Sequence, residues 1–135
     1  MLENNKLPKG IIVLKTLSMP ENTNSNGDIF GGWIMSQMDI GGAILAKEIS
    51  GGKVATVGLN NVNFLKSISV GDIFNCYGRC IKIGKSSINI NIEIWIKKIY
   101  SQPLGQYYCA ATAEFIYVAI NNIGKPRELL PMSII

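Results

Sequence analysis

One carboxylate in this chain stands where charges are rarely kept. Asp39 lies inside the run Phe30–Ile49, FGGWIMSQMDIGGAILAKEI, among Ile34, Met35, Met38, Ile40, Ala43, Ile44, Leu45 and Ala46. A carboxylate stripped of water is a stronger base than a solvated one. As a general base on water, such a group speeds hydrolysis by about 10² to 10⁴. As a nucleophile it would form an anhydride with an acyl group. A purely structural acid, paired with a lysine or a backbone amide at a subunit seam, suits the position as well.

Two further features bear on the same chemistry. Gly31 and Gly32 stand where a helix should begin, offering free N–H groups, the positive end of the dipole and no side chains in the way. That combination makes an oxyanion hole, in which one lost donor costs roughly 3 kcal/mol in other enzymes. The pair would also serve simply to turn a loop into a helix. Asn24, in the polar loop NTNSNGD before it, can orient a water or hold a carbonyl oxygen, or be an ordinary loop residue.

The chain contains no histidine. Histidine-based triads, histidine-ligated metals and histidine general bases are therefore excluded. Three cysteines, Cys76, Cys80 and Cys109, form no disulfide framework and suit a reducing compartment. Cys76 and Cys80 would sit about 13 Å apart on one strand, too far to grip one zinc, so they read as small core residues. Neither a metal nor a cofactor is expected.

These groups must be positioned by a helix from Phe30 or Gly31 to Ile49, stopped at Ser50-Gly51-Gly52. It would run about 27 Å and be buried on most sides. Glycine costs roughly 1 kcal/mol inside a helix, so Gly41-Gly42 implies close approach of another backbone. Strands are predicted over Ile11–Leu17, Lys53–Leu65 (bulged at Gly58 or Asn60-Asn61), Ile73–Ile83, Ser86–Tyr100 and Gln106–Ile120. In the fourth, Ile88, Ile90, Ile92, Ile94 and Ile96 face one way; Asn89, Asn91, Glu93, Trp95 and Lys97 face water or a partner. A loose start through Lys9 and an irregular tail from Lys125 flank them. The class is α+β, an antiparallel sheet around one long helix.

The totals agree. The 135 residues are 47% hydrophobic and 16% charged, as in one globular domain with its core at about 10–123. No apolar run nears the roughly 20 residues of a membrane span, and no signal peptide opens the chain, so a cytoplasmic protein without a membrane partner is expected. A net charge of +4 mildly favours an anionic ligand. With neither an RNA-recognition motif nor a basic stripe, no nucleic-acid partner is expected.

The run TNSNGDIFGGWIMSQMDIGGAILAKEI, the later NFLKSISVGDIFNCYGRC and the strand SSININIEIWIKK resemble the bacterial acyl-CoA thioester hydrolases of the hot-dog fold, over about Gly10 to Arg127. The resemblance implies a hot-dog domain hydrolysing acyl-CoA to free acid and CoA. It implies a homodimer, in a trimer of dimers, with each active site shared between subunits. The family's catalytic aspartate falls on Asp39 and its asparagine on Asn24. Asn22 and Asn60 stand where relatives carry acids, and Ser67 where they carry proline. For the CoA phosphates, the turn Gly84-Lys85-Ser86-Ser87 is the chosen candidate, with Lys66, Arg79, Lys82, Lys97 and Lys98 as others. A non-catalytic acyl-CoA or lipid-binding module in the same groove is the alternative.

Overall fold

The structure is a computed structural model that describes residues 7–99 and 105–129. It contains β1 (Ile11–Leu17), a short 3-10 turn (Pro20–Asn22), α1 (Gly31–Ser50), β2 (Val54–Phe64), β3 (Ile73–Ile83), β4 (Ser87–Lys97) and β5 (Tyr107–Ala119). All pairings are antiparallel, in the order β1-β3-β4-β5-β2. The sheet curls around α1 as a hot-dog domain does. Tyr100, the expected end of β4, lies outside the described residues.

The isoleucine ladder of β4 is the floor of the core. Ile88, Ile90, Ile92, Ile94 and Ile96 are fully buried, each such side chain contributing roughly 1.5–3 kcal/mol. Trp95, expected on the open face, is buried as well. A register shift falls between Ile94 and Trp95, and Trp95 packs on Tyr107 at 5.2 Å while donating to Glu93 Oε1 at 2.9 Å.

Helix α1 lays Ile34, Met38, Leu45, Ala46 and Ile49 on the sheet, the i, i+3, i+4 stripe of a one-sided helix. The expectation of burial on most sides is corrected: Ile40 and Ile44 remain 48% and 38% exposed on the protomer. Gly51 ends the helix in the left-handed region, φ 72°, donating to the Lys47 carbonyl at 2.8 Å. The tail after β5 holds that end down. Arg127 Nη2 donates to the Ser50 carbonyl at 3.0 Å and Nε to the Ile120 carbonyl at 3.2 Å, a cation where the helix dipole favours one.

The reason given for Gly41-Gly42 also needs correction, because side chains and not a backbone press on them. A Cβ at Gly41 would lie 2.7 Å from Cys76 Sγ and 3.0 Å from Val13 Cγ2; one at Gly42 would strike the Tyr117 ring. Strand β2 is bulged in both expected places, between Thr56 and Gly58 and between Asn60 and Asn63, with Asn61 at φ 54°.

Replacing Gly41 by alanine inserts a methyl against strands β1 and β3. Gly41→Ala should cost about 1–3 kcal/mol in urea unfolding, despite alanine's better helix propensity.

Candidate active site

Asp39 is half-buried on the helix, and hydroxyls meet it. Thr56 Oγ1, from β2, donates to Oδ1 at 2.8 Å. The Tyr117 hydroxyl, from β5, donates to Oδ1 at 3.1 Å and to the Asp39 carbonyl at 2.9 Å. Burial, reinforced by the Asp39 charge and this hydrogen bond, pushes the Tyr117 phenol far above its ordinary range, so it remains a donor. No salt bridge reaches Asp39 among the described residues; the Lys98–Asp72 pair, at 2.8 Å, lies elsewhere. Within the protomer the partners of the Asp39 carboxylate are hydroxyls, not a lysine.

Asp39 lines an open groove of about 460 Å³ with Gly32, Met35, Ser36, Thr56, Gly58, Leu59 and Phe115. Asn24 and Gly31 line a different one, of about 350 Å³, with Asp28, Phe64, Lys66 and Ser67. The two grooves share no residue. Gly32 lines the same groove as Asp39 but lies seven residues, roughly 10 Å, along the helix from it; Asn24 and Gly31 stand apart from that groove altogether. A larger cavity of about 690 Å³, between Leu45, Ile49 and Arg79, holds none of these groups.

In the second groove, the Asn24 side-chain carbonyl accepts from the amides of Asn26 at 2.8 Å and Asp28 at 3.2 Å. This is an Asx-type turn, and it leaves the Asn24 side-chain NH2 without a partner among the described residues. Gly31 and Gly32 open α1 with no side-chain cap, so their amides have no intrahelical acceptor. Rings crowd both: an added Cβ would come within 3.3 Å of Phe64 at Gly31 and 3.2 Å of Phe30 at Gly32. Side-chain-free amides and an apolar rim are what an oxyanion site needs.

The turn Gly84-Lys85-Ser86-Ser87 joins β3 to β4 and borders neither groove. The Gly84 amide donates to the Ser87 carbonyl at 2.8 Å, and the Lys85 and Ser86 carbonyls accept from Leu129 and Ala119. Of the candidate cations, Lys66 borders the Asn24 groove, its Nζ 5.2 Å from the Tyr108 ring centre. Lys98 is taken up by Asp72. Ser67 borders the Asn24 groove, and Asn60 pairs with Glu114 in the sheet.

Sequence reading missed Thr56 and Tyr117. One sits in an irregular strand and the other in a regular one, 17 and 78 positions from Asp39. Gly42, three residues after Asp39 and hence on its face of the helix, was the available clue that something bulky passes there.

A curled antiparallel sheet around one helix, with an acid mid-helix and glycines at its start, defines a hot-dog hydrolase. Residues 26–101 match the thioesterase superfamily model, and the chain belongs to that superfamily. Within it, the protein is a hot-dog acyl-CoA thioesterase closely related to the YciA-type hydrolases. It is 84% identical, over all 135 residues of both chains, to the uncharacterized acyl-CoA thioester hydrolase BU274 of Buchnera aphidicola from Acyrthosiphon pisum. The hexameric thioesterase y2039 of Yersinia pestis superposes with a TM-score of 0.88 at 61% identity, over 92% of this chain and 99% of that one. An acyl-CoA hydrolase of Staphylococcus aureus, solved also with butyryl-CoA and CoA, is similar too. Its aspartate-to-alanine variant gives a TM-score of 0.77 at 28% identity, over 86% of this chain and 69% of that one. Asparagine and threonine variants of the same enzyme are also known.

The Cys76 thiol is not a rival nucleophile. Burial pushes the Cys76 thiol up to about 12, so its reactive thiolate appears only as the pH approaches that value. Native protein at pH 8 should leave Cys76 unlabelled by iodoacetamide, with labelling appearing in denaturant; mass spectrometry of the peptides checks this.

Proposed function

We propose that this acyl-CoA thioesterase works through a site shared by two copies of the chain. Asp39 of one protomer faces Asn24 and the Gly31 and Gly32 amides of its partner. The carrying observation is the division of these residues between two grooves at opposite ends of the edge strand β2, Thr56 and Gly58 beside one and Phe64 beside the other. This long edge exposes Val57 and Phe64, at 60% and 51%, and Leu65 just beyond it at 56%, a surface that invites another strand. Antiparallel pairing of two β2 edges about a twofold axis would carry each Asp39 groove to the partner's Asn24 groove.

The reaction follows from the groups. Asp39 takes a proton from a water as its oxygen attacks the thioester carbonyl carbon. The oxyanion is received by the helix-tip amides and by the free NH2 of Asn24. When the carbonyl re-forms, the C–S bond breaks and CoA leaves as a thiolate, which needs no acid. The cationic Lys66 stands at the mouth of the Asn24 groove, where CoA phosphates would pass, and the turn Gly84–Ser87 could serve the nucleotide from a further subunit. The Staphylococcus hydrolase supports this residue assignment. Its substituted asparagine, aspartate and threonine are separated by 15 and 17 positions, the spacing of Asn24, Asp39 and Thr56 here. Several similar thioesterases are hexameric, and the same assembly, a trimer of β2-paired dimers, is proposed for this chain. An odd number of cysteines without framework spacing suits the cytoplasm.

Asp39→Asn should lower kcat by about 10² to 10⁴, with fold and oligomer retained, as read by thiol release and light scattering. A second experiment tests the sharing. Asp39→Ala and Asn24→Ala chains, each inactive alone, should regain roughly a quarter of wild-type activity when unfolded and refolded together, because half the dimers then carry one intact site. No recovery from demonstrably mixed dimers would place the whole site in one chain.

A further inference from the structure

The two oxygens of Asp39 are not equivalent. Oδ1 accepts from Thr56 and from Tyr117, whereas Oδ2 accepts from no group among the described residues. Thr56 and Tyr117 are direct neighbours across the β2–β5 ladder, so adjacent strands present the two hydroxyls side by side to one oxygen. We infer that Tyr117 is a positioning residue for the hydrolysis: with Thr56 it pins Oδ1, leaving Oδ2 as the oxygen that takes the proton from water. The inference rests on the reading of Asp39 as the base.

A buried tyrosine needs a partner for its hydroxyl, and the Asp39 main-chain carbonyl at 2.9 Å would satisfy that need alone. The second contact, to the side chain of the same residue, goes beyond it. One hydroxyl thereby ties the helix backbone and the carboxylate together, restricting rotation of the acid about its own bonds. A missing side chain makes the arrangement possible. A Cβ on Gly42 would collide with the Tyr117 hydroxyl and come within 3.0 Å of two ring carbons. Gly42, Tyr117 and Asp39 thus form one unit, in which the glycine admits the ring and the ring sets the acid.

Four variants of the full chain test this, with kcat and KM read by thiol release from a short acyl-CoA: Tyr117→Phe, Gly42→Ala, the two combined, and Asp39→Ala. Tyr117→Phe keeps the ring, so kcat should fall about tenfold or more while KM stays within about twofold, the mark of a misaimed group rather than lost binding. Gly42→Ala keeps the hydroxyl but displaces it; it should lower kcat similarly alone and much less beside Tyr117→Phe, since contacting residues acting through one interaction are not additive. Unchanged kcat in either single variant, or a loss confined to KM, overturns the positioning role while an inactive Asp39→Ala leaves the base in place. Activity persisting in Asp39→Ala overturns both.

Discussion

How closely one helix can lie on one sheet governs what this protein does. At the middle of α1 the usual side-chain spacer is missing, and Cys76, Val13 and Tyr117 fill the space over Gly41 and Gly42. Asp39 stands less than one turn before that point of contact. Its carboxylate is therefore within reach of strands that would otherwise be a full side-chain layer away. What the strands present there is hydroxyls and not a cation. Two hydroxyl donors meet one oxygen of a half-buried carboxylate, with no salt bridge to it among the described residues.

On the shared-site proposal, the same helix explains why one chain would fall short. Asp39 sits about two turns, roughly 12 Å, inside α1, whereas an oxyanion must be held about 3 Å from its donors. A rigid helix cannot bring its own tip to its own middle. A twofold axis can bring another tip there, and β2, long, bulged and open at the sheet edge, is where such an axis fits. On that proposal, the edge that would be a liability in a monomer becomes the means of completing the site.

Much of this was legible in the residues, for identifiable reasons. The Ile88–Ile96 alternation marks a strand buried on one face, since only a period of two repeats so strictly. Gly51 announces the helix end because its backbone conformation suits few other residues. Asp39 stands out because an acid amid isoleucine, methionine and leucine is costly without a purpose. What stayed hidden depends on contacts across long separations. Thr56 and Tyr117 carry no local signature; they matter because antiparallel pairing of β2 with β5 sets them side by side beneath the helix. The placement of β2 at the sheet edge, the split of Asn24 from Asp39 and the one-sided burial of α1 are equally matters of strand order, which periodicity along the chain does not encode.

The absence of histidine then becomes a statement about selectivity. Hydrolysis of an amide or of an alkyl ester expels a strongly basic nitrogen or oxygen, which must be protonated as it departs. Near Asp39 the polar side chains are hydroxyls, and the phenol among them is held far from releasing its proton. A thiol has a pKa near 8.5, so its anion departs without help. The chain's own buried thiol, Cys76, shows the contrast: burial pushes it up to about 12, whereas the sulfur of a CoA released at an open groove meets water at once. The proposed site of one base, two hydroxyls and a helix tip would thus suffice for thioesters and be poorly equipped for stronger acyl bonds.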